Sequence, residues 1–228
     1  MNLSVTMTRK ETLFGWTYMA LSILFLPILI GLIGSLLPIP LSESQANILY
    51  FFLNFIFVVI IFHRFLAASF RTAFRNPWRC LRFAALGLLL YWVATVLLSL
   101  LINRFYPAFA NVNDAAIAQM SQENYTLIAF CTVFLVPVAE ETFHRGLVFR
   151  MLHSRSRWLA YLISTVLFSM IHIVGYIGFF DFTTLLICFI QYLPAGVALA
   201  FSYEKADTII APILIHIAVN QYGMSAMR

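Results

Sequence analysis

Charged residues are scarce in this chain of 228 residues. Only 10% of the residues are Asp, Glu, Lys or Arg, whereas 62% are hydrophobic, and the mean hydropathy is +0.91. Soluble domains carry roughly 25% charged residues. The deficit therefore excludes an ordinary soluble domain and predicts an integral membrane protein. The net charge of +5 is concentrated in two short clusters, which indicates membrane orientation and argues against nucleic acid as a partner.

Cysteine is also rare. Cys80, Cys131 and Cys188 lie far apart and form no CxxC pair, so neither a disulfide framework nor a thiolate zinc site is expected. Each thiol is predicted to be a small buried hydrophobe. The zinc-protease motif HExxH is absent. No cleavable signal peptide is expected, because the first apolar run is too long and no clear small-residue cleavage site follows it.

Long apolar runs dominate the sequence instead. They predict an all-α, polytopic membrane bundle of about seven transmembrane helices, because a helix of about 20 apolar residues crosses the hydrocarbon layer. Pro27 lies in the first run and is expected to kink it. No internal repeat is visible, which disfavours a transporter built from inverted repeats. The predicted spans are 13–37, 48–62, 83–102, one that starts near residue 125, 158–178, 182–203 and 209–222; residues 103–124 are predicted to form an outside loop or a short surface helix.

Arginine is concentrated after the second and fourth spans. The first cluster is interleaved with aromatic residues and contains no acid, which is typical of an interfacial amphipathic segment on the cytoplasmic leaflet. A plain topology signal is the favoured interpretation of these arginines, and a lipid-headgroup or substrate-docking role is the alternative. The positive-inside rule places the N-terminus in the cytoplasm and the C-terminus outside. The excess of arginine over lysine in a short chain favours a bacterial inner-membrane protein. The clusters are Arg64, Arg71, Arg75, Arg79 and Arg82, and then Arg145, Arg150, Arg155 and Arg157.

Four ionisable residues follow the apolar start of the fourth span: Glu140, Glu141, His144 and Arg145. Such groups are costly in hydrocarbon unless they are paired or face water, so they are functional candidates. The helical period places Glu140 beside His144 and Glu141 beside Arg145. Glu141 and Arg145 can neutralise each other. The carboxylate of Glu140 is then left to pair with His144 or with a group on another helix. A purely structural ion-pair cluster is the alternative interpretation.

Further polar residues are predicted at the same depth. Glu140 precedes the turn near residue 156 by 16 residues and His172 follows it by 16, so both lie roughly 20 Å from that turn. His216 and Asn220 share one helical face, roughly 14 and 20 Å from the turn near Asp207. One shared hydrated pocket would cost less than four separate polar groups in lipid.

Three motifs in this order resemble a known family. They are EExxxR at Glu140 to Arg145, FxxxH at Phe168 to His172, and HxxxN at His216 to Asn220. Together they resemble the CAAX-protease and bacteriocin-processing (CPBP, or Abi) family of intramembrane peptidases, which is related to the type II CAAX prenyl endopeptidases. The likeness covers about residues 125–225 and divides the chain into N-terminal membrane helices, 1–124, and a four-helix catalytic core, 125–228. His144 stands where many members carry an aromatic or aliphatic residue.

The resemblance implies a glutamate-type peptidase. Glu140 would act as general base on water and His172 would orient that water, while His216 and Asn220 would bind the oxyanion. Arg145, paired with Glu141, would hold the helix geometry, and His144 would lie beside them. The implied substrate is a membrane-associated protein or peptide, such as a prenylated or sorting-signal C-terminus.

Two alternatives stay open at this point. A zinc site formed by Glu140, His172 and His216 is chemically suitable, but it would remove Glu140 from the base role, so the metal-free scheme is favoured. A non-catalytic membrane scaffold, such as an immunity or regulatory partner protein, is the rival function.

Overall fold

All regular structure in the described part of the chain is helical. The structure is a computed structural model that describes residues 3–227. It confirms the predicted all-α class. In this part of the chain nine helices follow one another: α1 (Arg9–Leu24), α2 (Leu26–Ser35), α3 (Glu43–Ile61), α4 (His63–Arg75), α5 (Pro77–Phe105), α6 (Val112–His153), α7 (Arg157–Ile171), α8 (Phe182–Ala206) and α9 (Ile210–Ala226).

Several of these helices can cross a membrane. Helices α3, α5, α6 and α8 are each long and apolar enough, and α1 with α2 forms a further span that is bent by 46°. Pro27 lies in the first turn of α2, directly after the bend, so the predicted kink is present. Helix α7 is apolar but shorter. The protein is therefore an integral membrane helix bundle, with four or five spans by these criteria, and the predicted count of seven is not confirmed.

Side-chain caps explain where several helices begin. Thr8 and Glu11 form a reciprocal capping box at the start of α1, and Ser42 and Gln45 form another at the start of α3. Asp181 accepts a hydrogen bond from the backbone N–H of Thr184 at the start of α8. These caps satisfy backbone donors that have no partner within their own helix.

Helix α6 starts earlier than predicted and is irregular in the middle. It begins at Val112 and bends at Asn124, whose φ of −149° and ψ of 74° are not helical. The span expected to start near residue 125 is therefore the part after this bend. Two wide π-helical segments, Cys131–Leu135 and Thr142–Phe149, enclose a short α-helical stretch. Pro137 lacks an N–H, which favours this local widening. Such segments are frequent at functional sites.

Helix α7 ends earlier than predicted. The span expected to reach residue 178 ends at Ile171, and His172 caps it. The chain then makes a short 3₁₀ turn over Val174–Tyr176 and reaches Gly178, which has a φ of +90°. A left-handed residue of this kind is incompatible with a continuing helix and is easily adopted by glycine. The prediction was wrong here because hydropathy does not register the change of backbone direction.

One end of the bundle is fastened by contacts between distant segments. Ser4 donates two hydrogen bonds to the carboxylate of Asp207, from its backbone N–H over 2.8 Å and from its hydroxyl over 2.6 Å. Nε of Arg150 donates to the carbonyl of Val5 over 2.6 Å. These contacts gather the N-terminal segment, the end of α6 and the α8–α9 turn at one end of the bundle. Cys80, Cys131 and Cys188 are free and buried, as predicted.

Candidate active site

Some of the predicted polar residues meet between α6 and α9. Glu140 and Glu141 of α6 both approach His216 of α9. Nδ1 of His216 donates a hydrogen bond to Oε1 of Glu141 over 2.9 Å, and Nε2 lies 3.9 Å from Oε2 of Glu140. One imidazole therefore contacts two adjacent carboxylates from another helix.

Glu141 also pairs with Arg145, one helical turn further along α6. Nε of Arg145 lies 3.2 Å from Oε2 of Glu141, and Nη1 donates to Oε1 over 3.3 Å. Nη2 donates to the carbonyl of Gly196 in α8 over 3.1 Å. Both charged side chains are fully buried. The pairing predicted from the i,i+4 spacing is therefore present, and it links α6 to α8.

Gly196 permits the close approach of α8. A Cβ atom at this position would lie 2.6 Å from Cγ2 and 3.0 Å from Cα of Thr165 in α7. Because a backbone atom cannot retreat as a side chain can, a larger residue would push α8 away from α7. The glycine thus keeps its own carbonyl within reach of Arg145.

Phe168 lies at the centre of the cluster. Its ring is only 2% exposed, and its centroid lies 5.5 Å from that of His144, 4.9 Å from His172 and 5.8 Å from His216. The guanidinium carbon of Arg145 lies 4.5 Å from the same centroid, a cation–π distance. A single aromatic side chain therefore packs against three imidazoles and the buried cation.

His172 is held from two sides. Its Nδ1 lies 2.8 Å from the carbonyl oxygen of Phe168, and a carbonyl only accepts, so Nδ1 is the donor. Its ring stacks on Tyr192 of α8, with centroids 4.0 Å apart and planes 24° apart. A neutral imidazole protonated on Nδ1 offers Nε2 as an acceptor.

The sequence interpretation did not include Tyr192. The hydroxyl of Tyr192 accepts from Nδ2 of Asn113 over 3.0 Å and donates to Oδ1 of Asp114 over 3.2 Å, both in the first turn of α6. Asn111, the cap of that helix, donates to Gln191 over 2.8 Å. The pair Gln191 and Tyr192 interrupts an apolar run, and this was the signal that could have identified it.

Asn220 lies one helical turn after His216 and contacts α6. Its Nδ2 donates to the carbonyl oxygen of Thr132 over 2.8 Å, within the first π-helical segment. An amide nitrogen carries two hydrogens, so one N–H of Asn220 is left for another acceptor. Asn220 thereby connects α9 to the wide part of α6.

The i,i+4 spacing had suggested that His144 pairs with the carboxylate of Glu140. The structure places His144 against the backbone of Glu140 instead. Its Nδ1 donates to the backbone carbonyl of Glu140 over 2.8 Å, the same contact with the residue four positions earlier that His172 makes with Phe168. The side chain is 1% exposed and packs edge-on against Phe168. The carboxylate of Glu140 instead faces His216 of another helix.

Glu140 is the accessible member of the pair of carboxylates. Its side chain is 19% exposed, whereas Glu141 and Arg145 are fully buried. His172 and Asn220 are also partly exposed, and His216 is nearly buried. The cluster thus has a closed side, at Glu141 and Arg145, and a partly exposed side, at Glu140.

The residues do not form a ready three-ligand metal site. Across residues 3–227, no three His, Cys, Asp or Glu side chains are placed to hold a metal ion together. Nδ1 of His172 is engaged by the Phe168 carbonyl and Nδ1 of His216 by Glu141, which leaves Nε2 as the ring nitrogen through which each histidine would bind a ligand.

Comparison with known proteins agrees with the motifs. No curated protein and no solved structure matches the chain. Residues 122–222 match the family model described as type II CAAX prenyl endopeptidase Rce1-like. This region contains all of the motif residues described above. Residues 122–222 are therefore similar to the Rce1-like type II CAAX prenyl endopeptidases.

Proposed function

We propose that this protein is an intramembrane endopeptidase that cleaves a membrane-associated peptide with water activated by Glu140. The observation that carries the proposal is the 3.9 Å approach of the Glu140 carboxylate to His216, beside the buried Glu141–Arg145 ion pair. The match of residues 122–222 to the family model supports protease chemistry. A carboxylate within reach of water, next to a group that can donate to an oxyanion, is the equipment that amide hydrolysis needs.

The charges of the cluster favour the binding of one additional proton. Glu140 and Glu141 carry two negative charges and Arg145 one positive charge, so the cluster has a net charge of −1 before any imidazole is protonated. A buried cluster is most stable when it is neutral. One proton shared between Glu140 and His216 achieves this. When His216 holds the proton, Glu140 is a free base and Nε2 of His216 is a donor.

The catalytic steps then follow from the donors and acceptors. A water molecule donates to Nε2 of His172 and to the Glu140 carboxylate, which takes a proton as the water oxygen attacks the scissile carbonyl carbon. Nε2–H of His216 and the second N–H of Asn220 stabilise the oxyanion. Glu140 then gives its proton to the leaving nitrogen as the C–N bond breaks, so protons and charges balance.

We propose that this scheme operates without a metal ion, with Nε2 of His172 on the water and Nε2 of His216 on the oxyanion. Glu141 keeps His216 oriented, and Arg145 holds Glu141 in place. His144 and Phe168 fill the space behind them. These residues position the reacting groups and do not touch the substrate.

The similarity to type II CAAX prenyl endopeptidases suggests the substrate class, so we propose a prenylated or otherwise membrane-anchored C-terminal peptide. We further propose a bacterial inner membrane with the N-terminus in the cytoplasm. The gathering of Ser4, Arg150 and Asp207 at one end of the bundle, beside the arginine clusters, supports this orientation.

The test is cleavage of a farnesylated CAAX peptide by the protein in liposomes, with products identified by mass spectrometry. We expect His216→Gln and Asn220→Leu each to lose about 10² to 10³ in kcat. Gln221→Leu, at an exposed neighbouring position, is the matched control and should be fully active. A wild-type protein that cleaves no prenylated or membrane-anchored peptide, but whose cellular phenotype survives His216→Gln, would be a scaffold.

A further inference from the structure

The outer face of α4 and of the first turns of α5 carries aromatic and cationic residues in neighbouring strips. Phe70, Phe74 and Trp78 follow one another at four-residue intervals and are 51%, 80% and 83% exposed. Beside this strip lie four exposed arginines. We define the basic-aromatic face as these aromatic residues together with Arg64, Arg71, Arg75 and Arg82.

The opposite face of α4 is fixed in the bundle, so the direction of the basic-aromatic face is determined. Phe65 and Ser69 are fully buried on that inner side. The backbone N–H of Phe65 donates to Oε1 of Glu11 over 2.8 Å, and Thr208 donates to the carbonyl of Ser69 over 2.8 Å. Helix α4 therefore cannot rotate its arginines inward without breaking both contacts.

The exposed arginines have no anionic partner within the protein. The sequence contains no Asp or Glu from residue 44 to residue 113. In the described residues 3–227, none of the ion pairs involves the four arginines of this face. Glu11, the acid that contacts α4 through the backbone of Phe65, is buried and accepts from Thr8 and Phe65. Arg79 differs, because its Nε donates to the carbonyl of Lys205 over 2.8 Å.

The basic-aromatic face continues directly into a lipid-facing surface. Further along α5, Leu81, Leu89 and Leu97 are 51%, 60% and 63% exposed, and the helix is one of the spans. Aromatic residues favour the boundary between headgroups and acyl chains, and arginine binds phosphate oxygens with its planar pair of N–H groups. The neighbouring surface is therefore a bilayer and not a soluble partner.

We infer that the basic-aromatic face binds the headgroups of anionic phospholipids. The arginines would bond the phosphate groups, and Phe70, Phe74 and Trp78 would lie against the glycerol and upper acyl region. Zwitterionic lipids would bind less well, because their own cationic group opposes the arginines. This inference concerns the membrane-facing surface and does not rest on the proposed peptidase function.

Trp78 provides a reporter within the face itself. In a variant that keeps Trp78 and has Phe at Trp16, Trp92 and Trp158, fluorescence quenching by brominated phosphatidylglycerol is compared with quenching by brominated phosphatidylcholine. One arginine near an anionic surface favours binding by about fivefold. We expect the anionic lipid to be preferred beside Trp78 by at least that factor. The preference should fall with added salt, because screening weakens exposed charge pairs.

Matched variants identify the source of the preference. Arg71→Gln with Arg75→Gln should remove most of it, whereas Arg71→Lys with Arg75→Lys should keep most of it because the charges stay. Arg104→Gln with Arg155→Gln changes the net charge equally at exposed positions outside the face and should leave the preference intact.

Two results would overturn the inference. One is equal quenching by the two lipids in the sole-Trp78 protein. The other is an equal loss of preference in the Arg104/Arg155 control, which would assign the effect to overall charge.

Discussion

Removing Arg145 should destabilise the protein more than removing its partner Glu141. Arg145→Met leaves two carboxylates, Glu140 and Glu141, with only His216 to compensate them, so the cluster moves from a net charge of −1 to −2 before protonation. Glu141→Gln moves it from −1 to zero. Arg145 also contributes a hydrogen bond to Gly196 and a cation–π contact, both fully buried.

The size of the effect follows from burial. Breaking a fully buried ion pair by removing one partner costs about 3–5 kcal/mol, and the lost contact with the Phe168 ring places Arg145→Met at the upper end of that range. For a chain of this size, about 1 kcal/mol shifts the melting temperature by roughly 2–4 °C. Arg145→Met should therefore melt more than about 10 °C below wild type. Glu141→Gln should cost less than half as much, because the remaining charges of Glu140 and Arg145 sum to zero.

The double variant decides whether the charge count is the cause. Arg145→Met with Glu141→Gln returns the net charge to −1 and should recover more than half of the loss, measured by thermal unfolding in detergent. Arg155→Met, at an exposed turn position, serves as the control and should change little. If Arg145→Met were within about 1 kcal/mol of wild type, or if the double variant were as unstable as the single one, the ion-pair account would be wrong.

Three other predictions follow from the same geometry. Tyr192→Leu removes the ring that stacks on His172 and should lower kcat by about tenfold to a hundredfold with little change in KM. Tyr192→Phe keeps the stack and should lose far less activity. Equal losses in the two variants would contradict the stacking role. Gly196→Ala forces a Cβ against the backbone of Thr165 and should lower the free energy of unfolding by about 1–3 kcal/mol. Gly31→Ala, with open space around it, should not lower the free energy of unfolding through a clash. Prolonged treatment with a chelator should leave peptide cleavage unchanged, and elemental analysis should find no stoichiometric zinc. Loss of activity that returns when metal is added would refute the metal-free scheme.

Local spacing was enough to predict some of this site. The Glu141–Arg145 pair lies within one turn of one helix, so the helical period alone determines it. The convergence of His216 with Glu140 follows from helix length and short turns, which set matched depths in a membrane. Composition predicted the all-α membrane class because the hydrocarbon layer admits few other structures.

Tertiary contacts were beyond the reach of the sequence. The stack of Tyr192 on His172 depends on how α8 packs against α7, and its anchoring by Asn113 and Asp114 depends on where the irregular start of α6 lies. The contact of His144 with the backbone of Glu140 was missed because the spacing rule considers side-chain pairs and not the carbonyl one turn earlier. The early end of α7 was missed because the residues beyond His172 are equally apolar.

The most direct measurement is the single-turnover rate of Glu140→Gln on a peptide that the wild type cleaves. The substitution keeps the size and hydrogen-bonding shape of the side chain but removes the base. We expect the rate to fall by at least about 10³, with substrate binding and thermal stability near wild type, because general-base catalysis contributes about 10² to 10⁴. A Glu140→Gln protein that turned over within about tenfold of wild type would contradict the assignment of Glu140 as the base.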